Sequence, residues 1–245
     1  MKRTIRLLAI MAMGAALAFT ACGKDDDNDN TGTGGGNTGG GTGGTETAEW
    51  VDLGLPSKLL WAKCNLGATT PEGRGDYYAW GETATKEVYD WSTYKYCTVD
   101  AEGRLATLTK YNTSTSWGTP DNLTTLQAID DVAAQKLGDG ARMPAKADWD
   151  ELLDNTTAEW TTENGVAGRK FTAANGNSLF LPAAGYRWGD ELDDAGSYGL
   201  YWSSSLDADD PYGAWDFNFY SGDQRVYRDG RRNGGLSVRP VRSAR

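Results

Sequence analysis

"WDFNFYSGDQRVYRDGRRNGGLSVRPV", Trp215 to Val241, is the stretch on which the fold turns. Trp215, Phe217 and Phe219 alternate with Asp216, Asn218 and Tyr220, the period-two spacing of a strand with one face on a core and the other toward solvent. Beyond Tyr220 the chain is crowded with arginine, tyrosine, aspartate and glycine. Outward from it, short strand-like runs recur at Trp50–Leu53, Leu59–Cys64, Asp76–Trp80, Ser178–Leu181, Tyr201–Ser204, Ala214–Tyr220 and Leu236–Val241, divided by Gly, Pro, Asn and Asp. Two helices interrupt them. The first is expected after Thr119-Pro120, with Leu123, Leu126, Ile129, Ala133 and Leu137 at helical spacing until Gly138. The second runs from about Ala145 to Asp154, with Trp149, Leu152 and Leu153 inward. Strands, two helices, then strands again predict one α+β domain of short, mostly antiparallel strands.

The chain has 245 residues, 34 acidic and 24 basic, and no histidine, which removes the commonest general base and metal ligand. A net charge of −10 repels phosphate backbones, so no nucleic-acid partner is expected. Lys2, Arg3 and Arg6 precede an apolar run from Leu7 to Phe19, the build of a secretory signal and short for a membrane span. Phe19-Thr20-Ala21-Cys22 resembles a bacterial lipobox, which implies a signal peptide over 1–21 and lipidation at Cys22. "GKDDDND" then looks like the acidic signal that sends lipoproteins of Bacteroidota-type bacteria to the outer face of the outer membrane. "TGTGGGNTGGGTGG" carries nine glycines in fourteen residues, a flexible composition, so residues 22–48 read as a tether and 49–245 as the domain. Cys64 and Cys97 are left as either a disulfide or two separate buried thiols.

Six ordered blocks carry a resemblance: "VDLGLPSKLLWAKCNLGAT", "GDYYAWGE", "RMPAKADWDELLDN", "LFLPAAGYR", "GSYGLYWSSS" and "GLSVRPV". Together they resemble the Fibrobacter succinogenes major paralogous domain, over nearly all of Trp50–Val241. "RMPAKADWDELL" is also similar to a block of formylglycine-generating enzymes, which implies a C-type-lectin-like fold whose C-terminal part faces ligand. That enzyme activity depends on a late cysteine pair, and here no cysteine follows Cys97. Ser203, Ser204 and Ser205 lack a histidine and a nucleophile elbow, so no catalytic residue is expected.

Between Tyr186 and Tyr227 lie six of the twelve tyrosines and three of the ten tryptophans, set among Ser, Gly, Asp, Asn and Arg. Such residues build recognition surfaces: rigid aromatics give area at low entropic cost, and arginine adds forked donors. Trp202, Phe217 and Phe219 are expected in the core. Trp188, Asp190, Tyr212, Asp216, Asn218, Tyr220, Arg225, Tyr227, Arg228, Arg231 and Asn233 are expected to face a ligand, either protein or cell-surface glycan. The acidic groups Asp190, Glu191, Asp193, Asp194 and Asp207, Asp209, Asp210 are oxygen-rich but fit no EF-hand, so no metal site is assigned and calcium stays an open alternative. The resemblance extends to targets of diversity-generating retroelements, whose last strands are mutated at adenines. The expectation is a lipid-anchored, outward-facing binding protein; the competing classes are a structural component of the envelope and an envelope hydrolase.

Overall fold

The computed structural model describes residues 47–244; the signal peptide, Cys22 and nearly all of the tether lie outside the described residues. In chain order the strands are β1 (Trp50–Asp52), β2 (Leu59–Ala62), β3 (Cys97–Val99), β4 (Leu105–Leu108), β5 (Thr156–Glu163), β6 (Val166–Ala173), β7 (Ser178–Pro182), β8 (Tyr186–Trp188), β9 (Glu191–Asp193), β10 (Gly199–Leu206), β11 (Gly213–Phe219), β12 (Gln224–Arg231) and β13 (Val241–Ser243). Two α-helices, α1 (Val132–Leu137) and α2 (Lys146–Asn155), sit between β4 and β5. The fold is α+β in one domain. Every strand pair is antiparallel, in sheets ordered β1-β2-β13, β5-β6-β7 and β10-β11-β12 plus the hairpins β3-β4 and β8-β9.

The tertiary role of β10 follows from its alternation. Tyr201 and Trp202 are both fully buried, yet successive strand residues point to opposite faces. Tyr201 belongs to a core with Trp61, Trp149, Phe171, Phe217 and Phe219; Trp202 belongs to a second core with Trp80, Tyr89, Tyr94 and Tyr111. The β10-β11-β12 sheet thus divides two aromatic cores. α2 covers the first side, where the Trp149 ring stacks on Phe217 at 4.9 Å and meets Trp61 at 4.8 Å. Burying such rings contributes roughly 2–3 kcal/mol each before entropy is set against it.

α2 begins where the sequence places it. Asp148 accepts from the Ala145 N–H at 2.6 Å and from Arg142 Nη1 at 2.6 Å, closing the helix entrance and using the arginine as a structural tie. The first predicted helix is shorter than expected. Residues 121–127 are not helical: the Leu126 N–H donates to the Ser204 carbonyl and the Leu206 N–H to the Thr124 carbonyl, so the segment borrows the edge of β10 instead. Helix α1 starts after Asp131, whose carboxylate accepts from the Ala133 and Ala134 N–H groups, and Ile129 is left 64 % exposed. The runs Asp76–Trp80 and Leu236–Pro240 also stay outside extended strands, joined by a single bridge between Tyr78 and Leu236.

Two arginines hold the cores from inside. Arg239 is fully buried and donates to Asn65 Oδ1 (2.9 Å), to the Ala62 and Lys63 carbonyls and to the Phe180 carbonyl (3.0 Å). Arg232, also fully buried, donates to Tyr94 Oη (3.0 Å) and to the carbonyls of Lys110, Tyr111 and Pro211. Arg232 satisfies loop carbonyls, and Arg239 ties the end of β2 and the strand β7 to the chain's last segment.

Candidate functional site

A cleft of 510 Å³ opens on the side of the β10-β11-β12 sheet that faces away from α2. Its floor is set by register: Leu200 pairs with Asn218 and Asn218 with Arg225, so the three side chains share one face. One wall is the β8-β9 hairpin, with Tyr186, Trp188, Asp193 and the adjoining Asp194. The hairpin is fixed by paired backbone bonds between Arg187 and Gly235 (2.8 and 3.0 Å). Gly185, at φ +71°, lies so close to the Asp193 carbonyl that a Cβ would stand 2.1 Å from it. Tyr198 and the Arg231–Gly234 turn complete the rim.

The floor has a directed polar chain. Asp216 Oδ2 accepts from Asn218 Nδ2 at 3.3 Å, and Asn218 Oδ1 accepts from Arg225 Nε at 3.3 Å. The Arg225 guanidinium lies 4.5 Å from the centre of the Tyr227 ring, which supports it from beneath. Arg231 lies between two rings, 5.2 Å from Trp188 and 5.8 Å from Tyr212. Tyr212 in turn packs on Trp91 (4.8 Å) and Trp117 (5.7 Å). Burial, and then the carboxylates of Asp194 and Asp193, raise the Tyr186 hydroxyl above its ordinary pKa, so at neutral pH it is a phenol that can donate.

Of the eleven residues expected to face a ligand, Trp188, Asn218, Arg225 and Arg231 come together in this cleft. Tyr220 and Tyr227 are about two-fifths exposed beside it, Tyr220 packed on Tyr198 at 5.2 Å. Tyr212 is half-buried in the aromatic ladder, its Oη accepting from Trp91 Nε1 at 3.1 Å. Asp190 lines a separate depression with Arg187 and Tyr89. Arg228 is tied to Asp209 at 2.8 Å and lies 3.9 Å from Asp207.

Two expectations are overturned. Alternation and composition place Asp216 and Asn233 at the surface, and both are fully buried. Alternation does put Asp216 opposite Phe217, but its register partner is Trp202, whose core covers that face as well. Asn233 goes with Arg232 into the interior, and neither end of its amide has a hydrogen-bond partner among the described residues. Tyr198, just before β10, lines the cleft with Tyr186, Asp193 and Asp194, although the sequence pattern does not single them out as ligand-facing; the signal for Tyr198 is its place two residues before Leu200.

Cys64 and Cys97 are separate free thiols, each half-buried and raised in pKa chiefly by burial. Ser205 of the triple serine has a structural use, its Oγ accepting from the Lys146 N–H at the first turn of α2. Among the described residues no three acidic or thiol side chains converge as metal ligands, and no helix is long and apolar enough to cross a membrane. No protein-family model, curated protein or solved structure matches the chain.

Proposed function

We propose that this protein is a lipid-anchored, outward-facing binding protein of the bacterial outer membrane whose domain, of C-type-lectin-like type and similar to the Fibrobacter succinogenes major paralogous domain, holds a ligand without covalent chemistry. The observation that carries the reading is the cleft where Trp188, Asn218, Arg225 and Arg231 meet, the last three on strands of one sheet and Trp188 on the adjoining hairpin. Rigid aromatic anchors with stacked guanidiniums and polar groups at the edge suit noncovalent recognition, because little side-chain freedom is lost on binding. The lipobox-like Cys22 and the glycine-rich stretch after it support anchoring on a flexible leash.

Two experiments test the proposal. Labelling with a radioactive fatty acid, in cells carrying the native chain or Cys22→Ala, is expected to mark only the former. Screening the purified protein on glycan and protein arrays beside Trp188→Ala is expected to find a ligand whose binding the substitution weakens at least tenfold. Equal binding by both proteins would remove this face as the site.

A further inference from the structure

The cleft is lined by two arginines, Arg225 and Arg231, and two aspartates, Asp193 and Asp194, and the way the arginines are held bears on the ligand class. Acidic side chains outnumber basic ones in this chain by 34 to 24, and Arg228, on the same strand as Arg225, has the carboxylate of Asp209 at 2.8 Å. No ion pair joins Arg225 or Arg231 to a carboxylate among the described side chains, which do not include that of Asp229. Both are nevertheless held. Arg225 spends its Nε on Asn218, which is itself oriented by Asp216, and rests on Tyr227; Arg231 is gripped between Trp188 and Tyr212. With Nε engaged, the two terminal nitrogens of Arg225 are left as a preset fork, the geometry that meets a planar oxyanion through two parallel hydrogen bonds.

Resting on the reading of this cleft as a binding site, we propose that it takes a saccharide bearing a carboxylate, a uronate or a sialic-acid-like sugar. The anion would meet Arg225 and Arg231. The ring would lie against Trp188 and Tyr198, both nearly two-fifths exposed, whose flat faces suit the C–H side of a pyranose. Asp193 and Asp194 on the hairpin wall accept from hydroxyl or amide N–H groups at the far end of the sugar. The same two carboxylates disfavour a dianionic phosphate more than a singly charged carboxylate. A peptide is less suited, because main-chain recognition needs an unpaired strand edge, whereas the floor of this cleft is the face of paired strands β10, β11 and β12.

The test is titration calorimetry of the full-length protein in detergent with sialyllactose, lactose, trigalacturonate, its methyl ester, glucose 6-phosphate and a short peptide with a free terminal carboxylate. At least one acidic sugar is expected to bind, with its neutral counterpart at least tenfold weaker and with binding reduced further in 0.5 M salt. Arg225→Gln is expected to lower affinity tenfold to a hundredfold for the acidic sugar alone. Trp188→Ala is expected to weaken every sugar that binds. Unchanged melting temperatures, expected because Arg225 and Trp188 are exposed, separate these losses from unfolding. Equal binding of acidic and neutral sugars, lost in Trp188→Ala, would overturn the charge assignment and leave the cleft as a site. Preference for the peptide or the phosphate would overturn the ligand class alone. Absence of any binding by these six probes would overturn the ligand class too, and only failure of the wider array screen would then remove the site.

Discussion

Substituting Asp130 by asparagine isolates the contribution of one buried, multiply hydrogen-bonded carboxylate to the fold. The Asp130 carboxylate is buried in the Trp80 core and accepts from Tyr111 Oη (2.7 Å), from Lys110 Nζ (2.5 Å) and from Tyr96 Oη, with Lys95 at 3.5 Å. Burial pushes its pKa up, but the hydrogen bonds from Lys110, Tyr96 and Tyr111 outweigh it and hold the group at about 2, down from 3.8. The drop, at about 1.4 kcal/mol per pH unit, amounts to about 2 kcal/mol of stability at neutral pH. Because the folded value is the lower one, that contribution is complete above about pH 4 and is lost as pH falls toward 2. Asparagine mimics the protonated acid, so Asp130→Asn at pH 7 is expected to lose about 2 kcal/mol, read as a lower urea midpoint at unchanged slope. Between pH 4 and 2 the native protein should lose about 2 kcal/mol more than the variant. Asp90, Asp121 and Asp100 are also lowered, and Asp131 is raised by burial, but all four are present in both proteins and cancel in the difference. Parallel acid curves for the two proteins would refute the assignment of this charge to the stability of the fold.

Three further outcomes are expected. Arg239→Ala should cost at least 3 kcal/mol in urea unfolding, since it removes the donors to Asn65 Oδ1 and to the carbonyls of Ala62, Lys63 and Phe180, each lost partner costing about 1–3 kcal/mol where it is buried; a loss below 1 kcal/mol would show that the surrounding segments repair themselves. Gly185→Ala should shift the hairpin wall, because φ +71° and a Cβ 2.1 Å from the Asp193 carbonyl cannot both be kept, and any ligand found for the cleft should bind at least tenfold more weakly; unchanged affinity would mean that the hairpin does not shape the site. Alkylation of the folded protein without reductant should modify both Cys64 and Cys97, slowly because burial raises both thiols, and a mass two hydrogens short at these positions would show a disulfide instead.

Helix α2 was legible because Trp149, Leu152 and Leu153 fall at helical spacing; the closing of its first turn by Asp148 is seen only in the structure. The false helix over 121–127 shows what spacing misses. Leu123 and Leu126 are near neighbours of helical periodicity only until the edge of β10 offers the Leu126 N–H a partner 78 residues away in the Ser204 carbonyl. The β5-β6 hairpin carried its own signal, Asn164-Gly165, whose left-handed φ values of 48° and 83° make the tight turn, although neither strand was picked out. Of the residues lining the cleft, composition marks Trp188, Asn218, Arg225 and Arg231. The burial of Asp216 was not legible, because period two tells which residues share a face and is silent on whether the second face is also covered; that of Asn233 was not, because it lies in the turn after β12, where no periodicity assigns a face.

The arginines of the last third show how one residue type is divided between scaffold and site. Arg232 and Arg239 go inside, where carbonyl acceptors take up nearly the whole fork; deprived of a carboxylate, Arg239 is desolvated enough to lower its pKa, yet its four acceptors keep it in place. Arg225 and Arg231 stay out, held by ring faces and a single amide, interactions that fix a guanidinium without exhausting its donors. The distinction is physical. A buried guanidinium with most of its donors left over would cost several kcal/mol, so a spare fork costs least at a surface, and stacking is one way to immobilise it there. The β11-β12 register serves both ends of this division: its shift between Ala214 and Asp216 lets Gly230 pass under Trp202, where a Cβ would come within 2.4 Å of the ring, and so turns Arg231 outward one residue before Arg232 enters the core.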